Sequence, residues 1–396
     1  MTKRSLAALE AVRLDGQRVL VRVDFNCPVQ AGQVTDDTRI RAALPTITHL
    51  REHGARVVLC SHFGRPKGGP DPKYSLRPVV DRLEQILGAP VTFLETLDEA
   101  AVATTRRMPR GAVAVLENTR FHPGEEANDP AFARQLAALG DLYVNDAFGS
   151  AHRAHASTEA VAHLLKPAVS GFLMEKELRF LGEALDQPKR PFVAVLGGAK
   201  ISGKIDVIEA LLPKVDRILI GGAMACTFFK AMGLEVGNSL VEDDRLEMAS
   251  ALLARAGDKI MLPVGAIVGP VLGEGITTQA VRREQVPPGW SIFDIDPRTV
   301  KAFGAEIVAA GTVIWNGPMG VFETPPFDQG TFGIALTMAE ATRRGAVTVI
   351  GGGDSAAAVA KAGLSDQVSH VSTGGGAALE FLEGHTLPGV AALDDA

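Results

Sequence analysis

Cysteine and long apolar runs are both scarce in this chain of 396 residues. Its three cysteines, Cys27, Cys60 and Cys226, are odd in number and far apart, which argues against a disulfide framework and predicts a reducing compartment. No stretch reaches the roughly 18 apolar residues that a membrane span needs. Glu10 and Arg13 interrupt the N-terminal apolar run, so we expect no signal peptide. These absences predict a cytoplasmic globular protein.

A strong charge of one sign is also missing, because 40 Lys and Arg oppose 46 Asp and Glu. The balance is uneven along the chain: residues 1–165 carry 20 basic and 19 acidic residues, and the remainder carries 20 and 27. In the first part 17 of the 20 basic residues are Arg, and seven of the nine His lie there too. Arg suits a bidentate grip on carboxylate or phosphate. Most single arginines are solvated surface charges, so this excess indicates an anion site only where arginines stand in loops that face one.

Short apolar runs alternate with longer amphipathic stretches. The runs cover residues 18–26, 55–64, 111–120, 142–149, 192–200, 217–225, 259–268, 311–320 and 346–355. Continuous apolar runs are typical of strands buried on both faces of a parallel sheet, and the alternation indicates βαβ units. The amphipathic stretch 171–191 predicts one long helix over residues 171–186. The sequence therefore predicts an α/β protein with two doubly wound, Rossmann-like parallel-sheet domains, joined by a long interdomain helix, with a cleft between them.

The second half of the chain contains four glycine clusters, at 197–198, 221–222, 351–353 and 374–376. A glycine after a strand is most often a tight turn into a helix. Bare backbone N–H groups at helix starts also bind anions, and ligands of open α/β sheets lie outside the carboxyl ends of strands. Repeated glycine loops at one sheet edge therefore favour a phosphate-rich ligand.

Two known signatures are nearly matched. Residues 198–204 fit the phosphate-binding pattern GxxxxGK, but Ile205 stands where Ser or Thr would hold Mg²⁺. Residues 351–356 fit a dinucleotide fingerprint, yet no acidic residue ends a strand about 20 positions later. An NAD-type oxidoreductase therefore stays an alternative with little support.

Lys200, Lys204 and Asp354 stand out beside these glycine loops. The spacing of the two lysines predicts that they share one helix face, where they could address a phosphoryl group in transfer and its neighbour; solvated lysines are the ordinary alternative. Asp354, at a strand end, is a candidate Mg²⁺ ligand, a helix N-cap, or both.

The chain carries, in order and spacing, a series of segments that resemble those of the phosphoglycerate kinase family. They read RVDFNCP, SHFGRPKG, LENTRFHPGEE, YVNDAFGSAHRAHAS, GFLMEKEL, VLGGAKISGK, WNGPMGVFE, GGGDSAAAV and HVSTGGGAALEFLEG. The resemblance runs from about residue 18 to Val390. It implies a monomeric glycolytic enzyme that transfers phosphate reversibly between 1,3-bisphosphoglycerate and ADP with Mg²⁺, through closure of its domains and without nucleic-acid or membrane partners. A phosphate-metabolite binding protein on the same scaffold is the non-catalytic alternative.

The resemblance also implies a division of labour. An N-terminal domain, residues 1–170 with a returning segment 380–396, would bind the glycerate, and residues 171–379 would bind the nucleotide. The implied glycerate-binding residues are Asp24, Phe25, Asn26, Arg39, His62, Phe63, Gly64, Arg65, Arg120 and Arg153. The implied nucleotide-binding residues are Lys204, Gly222, Asn316, Pro318, Glu323, Gly352, Gly353, Asp354 and Ser355, with Asp354 toward Mg²⁺. Arg39 and Lys200 would be catalytic, Lys200 following the moving phosphoryl group.

Some residues depart from the family pattern. Asp296 stands where the family usually has Gly, in a loop by the adenine, and Gly265 lies in a segment where the family usually reads LPVDVVVA. These departures put the affinity for the nucleotide base in question more than the chemistry. His152 and His155, three residues apart, are candidate zinc ligands by their spacing. The resemblance instead implies that their segment lies beside the glycerate.

Overall fold

The computed structural model describes residues 3–10 and 14–396, so Arg13, on which the expected absence of a signal peptide partly rests, lies outside the described residues. The chain divides into two compact units, Met1–Arg179 with Thr386–Ala396, and Phe180–His385. We call them the first and the second unit. The predicted assignment of one ligand to each domain stays a prediction at this point.

Within its described residues, the first unit contains eight strands and the helices between them. The strands are β1 (Arg18–Arg22), β2 (Val29–Gln30), β3 (Gln33–Val34), β4 (Arg56–Cys60), β5 (Val91–Leu94), β6 (Val113–Leu116), β7 (Leu142–Asn145) and β8 (Ala168–Ser170). The helices are α1 (Thr38–Glu52), α2 (Arg77–Leu87), α3 (Glu99–Arg107), α4 (Pro123–Glu126), α5 (Pro130–Ala137), α6 (Val161–Leu164) and the start of α7 (Phe172–Asp186).

Six of these strands form one parallel sheet in the order β5-β6-β4-β1-β7-β8. Its central strands carry almost only buried side chains, as the continuous apolar runs predict. The strand order reverses between β1 and β7, where a doubly wound sheet opens its ligand crevice. The short β2 and β3 pair separately as a hairpin.

The second unit is built in the same way around its own sheet. Its strands are β9 (Phe192–Leu196), β10 (Arg217–Ile220), β11 (Ile260–Met261), β12 (Gly265–Gly269), β13 (Gln279–Arg282), β14 (Ser291–Ile295), β15 (Thr312–Asn316), β16 (Val347–Gly351) and β17 (His370–Val371). Its helices are α8 (Ile205–Leu211), α9 (Met224–Ala231), α10 (Leu246–Ala256), α11 (Pro297–Ala309), α12 (Gln329–Arg343), α13 (Gly353–Lys361) and α14 (Gly376–Leu382). The helix α15 (Pro388–Ala391) belongs to the first unit.

The main sheet of the second unit is parallel, in the order β11-β10-β9-β15-β16-β17, and it reverses between β9 and β15. The predicted fold class, two doubly wound parallel sheets with the long helix α7 between them in the chain, is confirmed. One run behaves differently: residues 259–268 form both β11 and β12, and β12 pairs antiparallel with β13 and β14 in a separate sheet. Pro263 lies between the two strands, and its missing N–H suits a break in the ladder.

The three cysteines are free and buried, as the absence of a disulfide framework predicts. Burial raises the pKa of the Cys27, Cys60 and Cys226 thiols to about 12, so none is a thiolate at neutral pH. Within the described residues, none of the helices combines the length and the apolar character of a bilayer-crossing segment.

Residues near both ends of the chain close the first unit. Lys3 Nζ donates to Leu393 O and to Asp395 Oδ1, each at 2.8 Å. The N–H of Ala168, at the start of the edge strand β8, donates to Asp394 Oδ2 at 3.0 Å. Asn145 Nδ2, at the end of β7, donates to Gly389 O at 3.0 Å. Residues 386–396 therefore supply bonds that the edge of this sheet needs.

The buried carboxyl of Asp146 accepts hydrogen bonds from the first turn of α7. The N–H groups of Leu173 and Met174 donate to Asp146 Oδ1 at 2.9 and 3.2 Å. Burial raises the pKa of Asp146 to about 6, against the opposing effect of these donors and of the Thr46 hydroxyl. A carboxyl whose pKa is raised on folding favours the folded state below its unfolded pKa, near 4, and loses that contribution as the pH rises through 6.

We expect Asp146→Asn to remove this pH dependence, because the amide oxygen can accept the same two N–H groups without carrying a charge. A shift of this size corresponds to about 3 kcal/mol over the whole window, of which more than about 1 kcal/mol falls between pH 5 and pH 7.5. Urea unfolding at these two pH values measures it, with the exposed Asp81→Asn on α2 as control. An equal difference from the unsubstituted protein at both pH values would contradict the assignment.

Candidate active site

The first unit places seven of its ten predicted site residues on the loops that follow β1 and β4. Two hydrogen bonds hold these loops together: the Phe25 N–H donates to Ser61 Oγ, and the Gly64 N–H donates to Asn26 Oδ1, both at 2.9 Å. The side chains of Phe25 and Phe63 are buried. Their side chains therefore anchor the two loops in the core of the unit, and only their backbone is available to a ligand.

Arg39, in the first turn of α1, reaches the β1 loop. Its Nη1 lies 2.5 Å from Asp24 Oδ2, and its side chain is 38% exposed. Burial opposes ionisation of Asp24, but His62 in its protonated form and the positive charges of Arg39 and Arg22 outweigh it and hold the pKa of Asp24 below its usual range. The pair leaves the other guanidinium N–H groups of Arg39 available to an anion.

The three other predicted arginines differ in their surroundings. Arg120 follows β6 on a turn of 3₁₀ helix, and its Nη1 donates to Gly64 O at 2.7 Å. Burial lowers the pKa of Arg120, Glu126 opposes that shift, and Arg22 and Arg153 reinforce it. Arg153 is exposed, and its Nε donates to His152 Nε2 at 3.2 Å. Arg65 is exposed as well.

The sequence prediction missed Arg22, the last residue of β1, which is fully buried. Its Nε donates to Ser157 Oγ at 2.7 Å, and its Nη2 lies 3.2 Å from His62 Nδ1. Ser157 in turn donates to the buried carboxylate of Glu125. The available signal was a charged residue at the end of a strand whose interior is apolar, two positions before Asp24.

The histidines of this site are neutral. Burial lowers the pKa of His62 to about 3 against the opposing effect of Asp24, and the positive charges of Arg22, Arg120 and Arg39 act in the same direction as burial. Burial and the same kind of charge lower the pKa of His155 to about 4. Among residues 3–10 and 14–396, no group of three or more His, Cys, Asp or Glu is arranged to hold a metal ion. The first unit thus has a site whose positive charge comes from arginine and does not change at neutral pH.

In the second unit the loops after β9 and β15 meet where the strand order reverses. A side chain at Gly197 would collide with the carbonyl groups of Gly317 and Pro318, and one at Gly222 would collide with the backbone of Gly198. These glycines let two backbones approach closely, which is the ordinary structural role of glycine. Above Gly198 the space is open, and there a ligand can reach the backbone.

The predicted shared helix face of Lys200 and Lys204 is wrong, because α8 begins only at Ile205. The N–H of Ser202 donates to Glu242 Oε2 at 3.0 Å, and this bond holds residues 200–204 as a loop. Lys200 is exposed there, while Lys204 lies at the N-cap position of α8 and donates through Nζ to Asn316 Oδ1. Burial lowers the pKa of Lys204 to about 8, although Asp354 and Glu383 oppose that shift.

The loop after β16 leads directly into α13. Gly352, with φ of 87°, is the N-cap residue, so Asp354 is not the N-cap but a residue of the first helical turn. Ser355 is buried, and its Oγ accepts the Gly317 N–H at 2.7 Å, which ties this loop to the end of β15. The Asp354 side chain is exposed.

A cavity of about 220 Å³ opens beside these loops. Its lining includes the predicted residues Gly222, Pro318, Glu323 and Asp354 together with apolar groups such as Phe229. Lys200, Lys204, Asn316, Gly352, Gly353 and Ser355 stand outside its described lining. The lining also includes Asp294, which the sequence prediction missed.

Asp294 lines this cavity beside Phe293. Its carboxyl accepts N–H groups of Gly330 and Ile295 at 2.7 and 2.8 Å. Burial raises the pKa of Asp294 well above its usual range.

One polar atom near this cavity lacks a partner. Asn316 Nδ2 is buried and has no hydrogen-bond acceptor in the part of the chain that the structure describes. Lys204 donates to the oxygen of the same amide. A buried amide donor without an acceptor is costly, so the pair of donors indicates a ligand with acceptor oxygens.

Comparisons with known proteins point to one family. The family model described as phosphoglycerate kinase matches residues 9–385. A phosphoglycerate kinase of Chloroflexus aurantiacus is 60% identical over 388 residues, covering 96% of this chain and 97% of that protein. Among solved structures, phosphoglycerate kinases from Coxiella burnetii and Pyrococcus horikoshii superpose with TM-scores of 0.89 and 0.86, at 40% and 31% identity, each covering 98% of both chains.

Proposed function

Since the chain belongs to the phosphoglycerate kinase family, we propose that its first unit binds the glycerate substrate and its second unit binds the nucleotide. The reaction is the reversible transfer of a phosphoryl group from 1,3-bisphosphoglycerate to ADP, which gives 3-phosphoglycerate and ATP. The assignment rests on one observation: the two units differ in the residues that surround their loops. Arginines with fixed charge surround the loops of the first, whereas the second pairs glycine-rich loops with a cavity that is largely apolar.

No general base is needed for this transfer. In the direction that consumes ATP, the attacking group is a carboxylate with a pKa near 3 to 4, already ionised at pH 7. The demand on the protein is to hold anionic partners together and to stabilise the charge on the equatorial oxygens during transfer. Arg39, Arg65, Arg120 and Arg153 suit the glycerate, and the neutral His62 suits a hydrogen bond to it.

The second unit supplies the groups that phosphates need. Lys204 Nζ donates to the Asn316 side-chain amide at the end of β15, and Nδ2 of the same amide has no acceptor within the described residues. The first N–H groups of α13 have no acceptor within the helix, and the space beside Gly353 is open. Lys200, exposed in its loop, is free of the helix that follows it and is the candidate for a contact that moves with the phosphoryl group. The predicted closure of the domains, which would bring Lys200 to the glycerate, stays a prediction.

Asp354 fits a role in holding Mg²⁺. Its exposed carboxylate in the first turn of α13 lies next to Gly353, above which the space is open. Mg²⁺ usually takes one or two carboxylates and completes its shell with substrate phosphates and water, so a larger protein cluster is not required. When bound, the ion would neutralise charge on the nucleotide phosphates.

Asp354→Asn is expected to raise the Mg²⁺ concentration for half-maximal activity by roughly tenfold or more, because a neutral amide binds this ion less well. A Mg²⁺ titration at fixed nucleotide measures it. The exposed Asp366→Asn, in the turn after α13, is the matched control and should leave the titration unchanged. An unchanged half-maximal concentration in Asp354→Asn would remove Asp354 from this role.

The function itself is tested by a coupled assay. Purified protein is mixed with 3-phosphoglycerate, ATP and Mg²⁺, and oxidation of NADH is followed through added glyceraldehyde-3-phosphate dehydrogenase. We expect a rate proportional to the amount of protein. A rate no higher than in a blank without the protein would overturn the proposed function and favour a binding protein on the same scaffold.

We further propose that the protein acts on these small molecules as a monomer in the cytoplasm, without nucleic-acid or membrane partners. Three free buried cysteines support a reducing compartment.

A further inference from the structure

Asp296 is the residue whose effect on the nucleotide site the sequence leaves open. It is fully buried and stands at the N-cap position of α11, immediately after β14. Its Oδ1 accepts the Thr299 N–H at 2.9 Å and the Thr299 hydroxyl at 2.8 Å, and its Oδ2 pairs with Arg298. The carboxylate is therefore fixed from both sides and does not face the cavity.

The Thr299 hydroxyl connects this cap to a second segment. Its oxygen accepts the N–H groups of Val264 and Gly265 at 3.1 and 3.2 Å, and it lies 3.0 Å from Gly265 O. Asp296 and Thr299 thus join the start of α11 to the start of β12. We call the three residues Asp296, Thr299 and Gly265 the clamp.

Gly265 completes the clamp because it has no side chain. A Cβ at this position would lie 2.5 Å from Asp296 Oδ2, 2.6 Å from Val281 O and 2.7 Å from Arg298 Nη2. The carboxylate of Asp296 and the guanidinium of Arg298 occupy the space that a side chain would need. The buried acid at position 296 therefore needs a glycine at position 265, where the Val281 carbonyl also leaves no room for a side chain.

The clamp lies where two neighbouring strands line the cavity of the second unit. Pro263, Gly265 and Ala266 line it at the start of β12, Phe293, Asp294 and Ile295 line it at the end of β14, and Ala266 pairs with Ile295 in the antiparallel ladder. Loss of the bonds from Val264 and Gly265 to Thr299 would let the start of β12 shift, without removing a side chain that lines the cavity. A displacement of about 1 Å in a binding site is enough to change affinity and rate measurably.

We propose that Asp296 is a positioning residue for the nucleotide, acting through Thr299 to fix the Gly265 backbone in the cavity wall. This inference rests on the proposed binding of the nucleotide in that cavity. It predicts that loss of the clamp raises the KM for ATP and leaves the KM for 3-phosphoglycerate unchanged, because the glycerate residues belong to the first unit.

The test compares three variants in the coupled assay, each with ATP and with 3-phosphoglycerate varied in turn. Asp296→Ala removes the two hydrogen bonds that Asp296 Oδ1 accepts from Thr299. Thr299→Val removes the hydroxyl that bonds to Val264 and Gly265 but keeps the Asp296 carboxylate. We expect both to raise the KM for ATP by roughly fivefold or more, with kcat and the other KM within about twofold. Asp296→Asn keeps an acceptor for Thr299, so we expect it to recover most of the affinity.

Asp98→Ala is the matched control for the loss of a helix cap. Asp98 caps α3 in the first unit by accepting the Ala101 N–H at 2.9 Å, the same kind of bond, and its loss should leave the KM for ATP unchanged. If Asp296→Ala does not fold, Thr299→Val and Asp296→Asn decide the matter. An unchanged KM for ATP in Thr299→Val, or equal increases in both KM values, would overturn the positioning role. An unsubstituted protein without kinase activity would instead overturn the proposed function.

Discussion

Replacement of Lys200 by alanine is expected to lower kcat by roughly 10²-fold or more with a smaller effect on nucleotide binding. Lys200 is exposed in the loop before α8, and its Nζ is available to a phosphoryl group, whereas Lys204 already donates to Asn316. A contact that strengthens only as charge develops on the transferring group accelerates the reaction without tightening the ground state. Steady-state kinetics in the coupled assay give kcat, and calorimetry gives the affinity for ADP.

The control for Lys200→Ala is Lys301→Ala, which removes an exposed lysine from α11 in the same unit. It should leave both kcat and ADP affinity unchanged, since a solvated lysine contributes little. If Lys200→Ala weakens ADP binding by as much as its expected effect on kcat while kcat itself is preserved, Lys200 is a nucleotide-binding residue and its catalytic assignment is wrong.

Arg39→Ala is expected to weaken 3-phosphoglycerate binding by roughly tenfold to a hundredfold and to lower the catalytic rate, with ADP affinity near normal. The substitution removes a charge-assisted donor and also leaves Asp24 without its partner at 2.5 Å. The pKa of Asp24 should rise toward its usual range, because Arg39 is one of the charges that lower it. Calorimetry with each ligand separately checks the split between the two affinities.

Two companion variants sharpen the Arg39 result. Arg41→Ala removes a guanidinium two residues along α1 that pairs with Asp37 at 2.9 Å, and it should leave both affinities unchanged. Arg39→Lys keeps the charge but loses the planar fork, so we expect intermediate affinity for 3-phosphoglycerate. Loss of ADP binding in Arg39→Ala, or no loss of 3-phosphoglycerate binding, would contradict the assignment.

The architecture follows from the apolar runs more completely than from any other signal. Runs such as 192–200 and 311–320 predict strands buried on both faces, and β9 and β15 have that character. The strands β8 and β17 gave no run of their own, because three and two residues are too few to show a period against their flanks. The strand β5, at the edge of its sheet, is interrupted by the exposed Thr92. The antiparallel sheet of β12, β13 and β14 was also missed, because β13 and much of β14 are exposed or half-buried and so show no continuous apolar run.

The site was predicted residue by residue where family segments resemble known ones, and those assignments stay predictions until ligands are bound. Spacing alone misled at Lys200 and Lys204, because a four-residue separation implies one helix face only if a helix exists there. The bond from Ser202 to Glu242, a residue 40 positions away, keeps that segment a loop. Arg22 and Asp294 were missed for another reason. Both stand out only because they are buried, and the sequence does not show that a charged residue is buried.

The closing of the first unit by residues 386–396 has a consequence for how the protein is made. The ribosome delivers the sheet strands β1 to β8 early, but the partners of Lys3, Asn145 and Ala168 emerge only after residues 180–385. At about 5–20 residues per second, these roughly 200 residues take on the order of 10 to 40 s. During that interval the edge strand β8 has backbone groups without their native partners, so the nascent first unit is exposed to edge pairing with other chains while the second unit is still being synthesised.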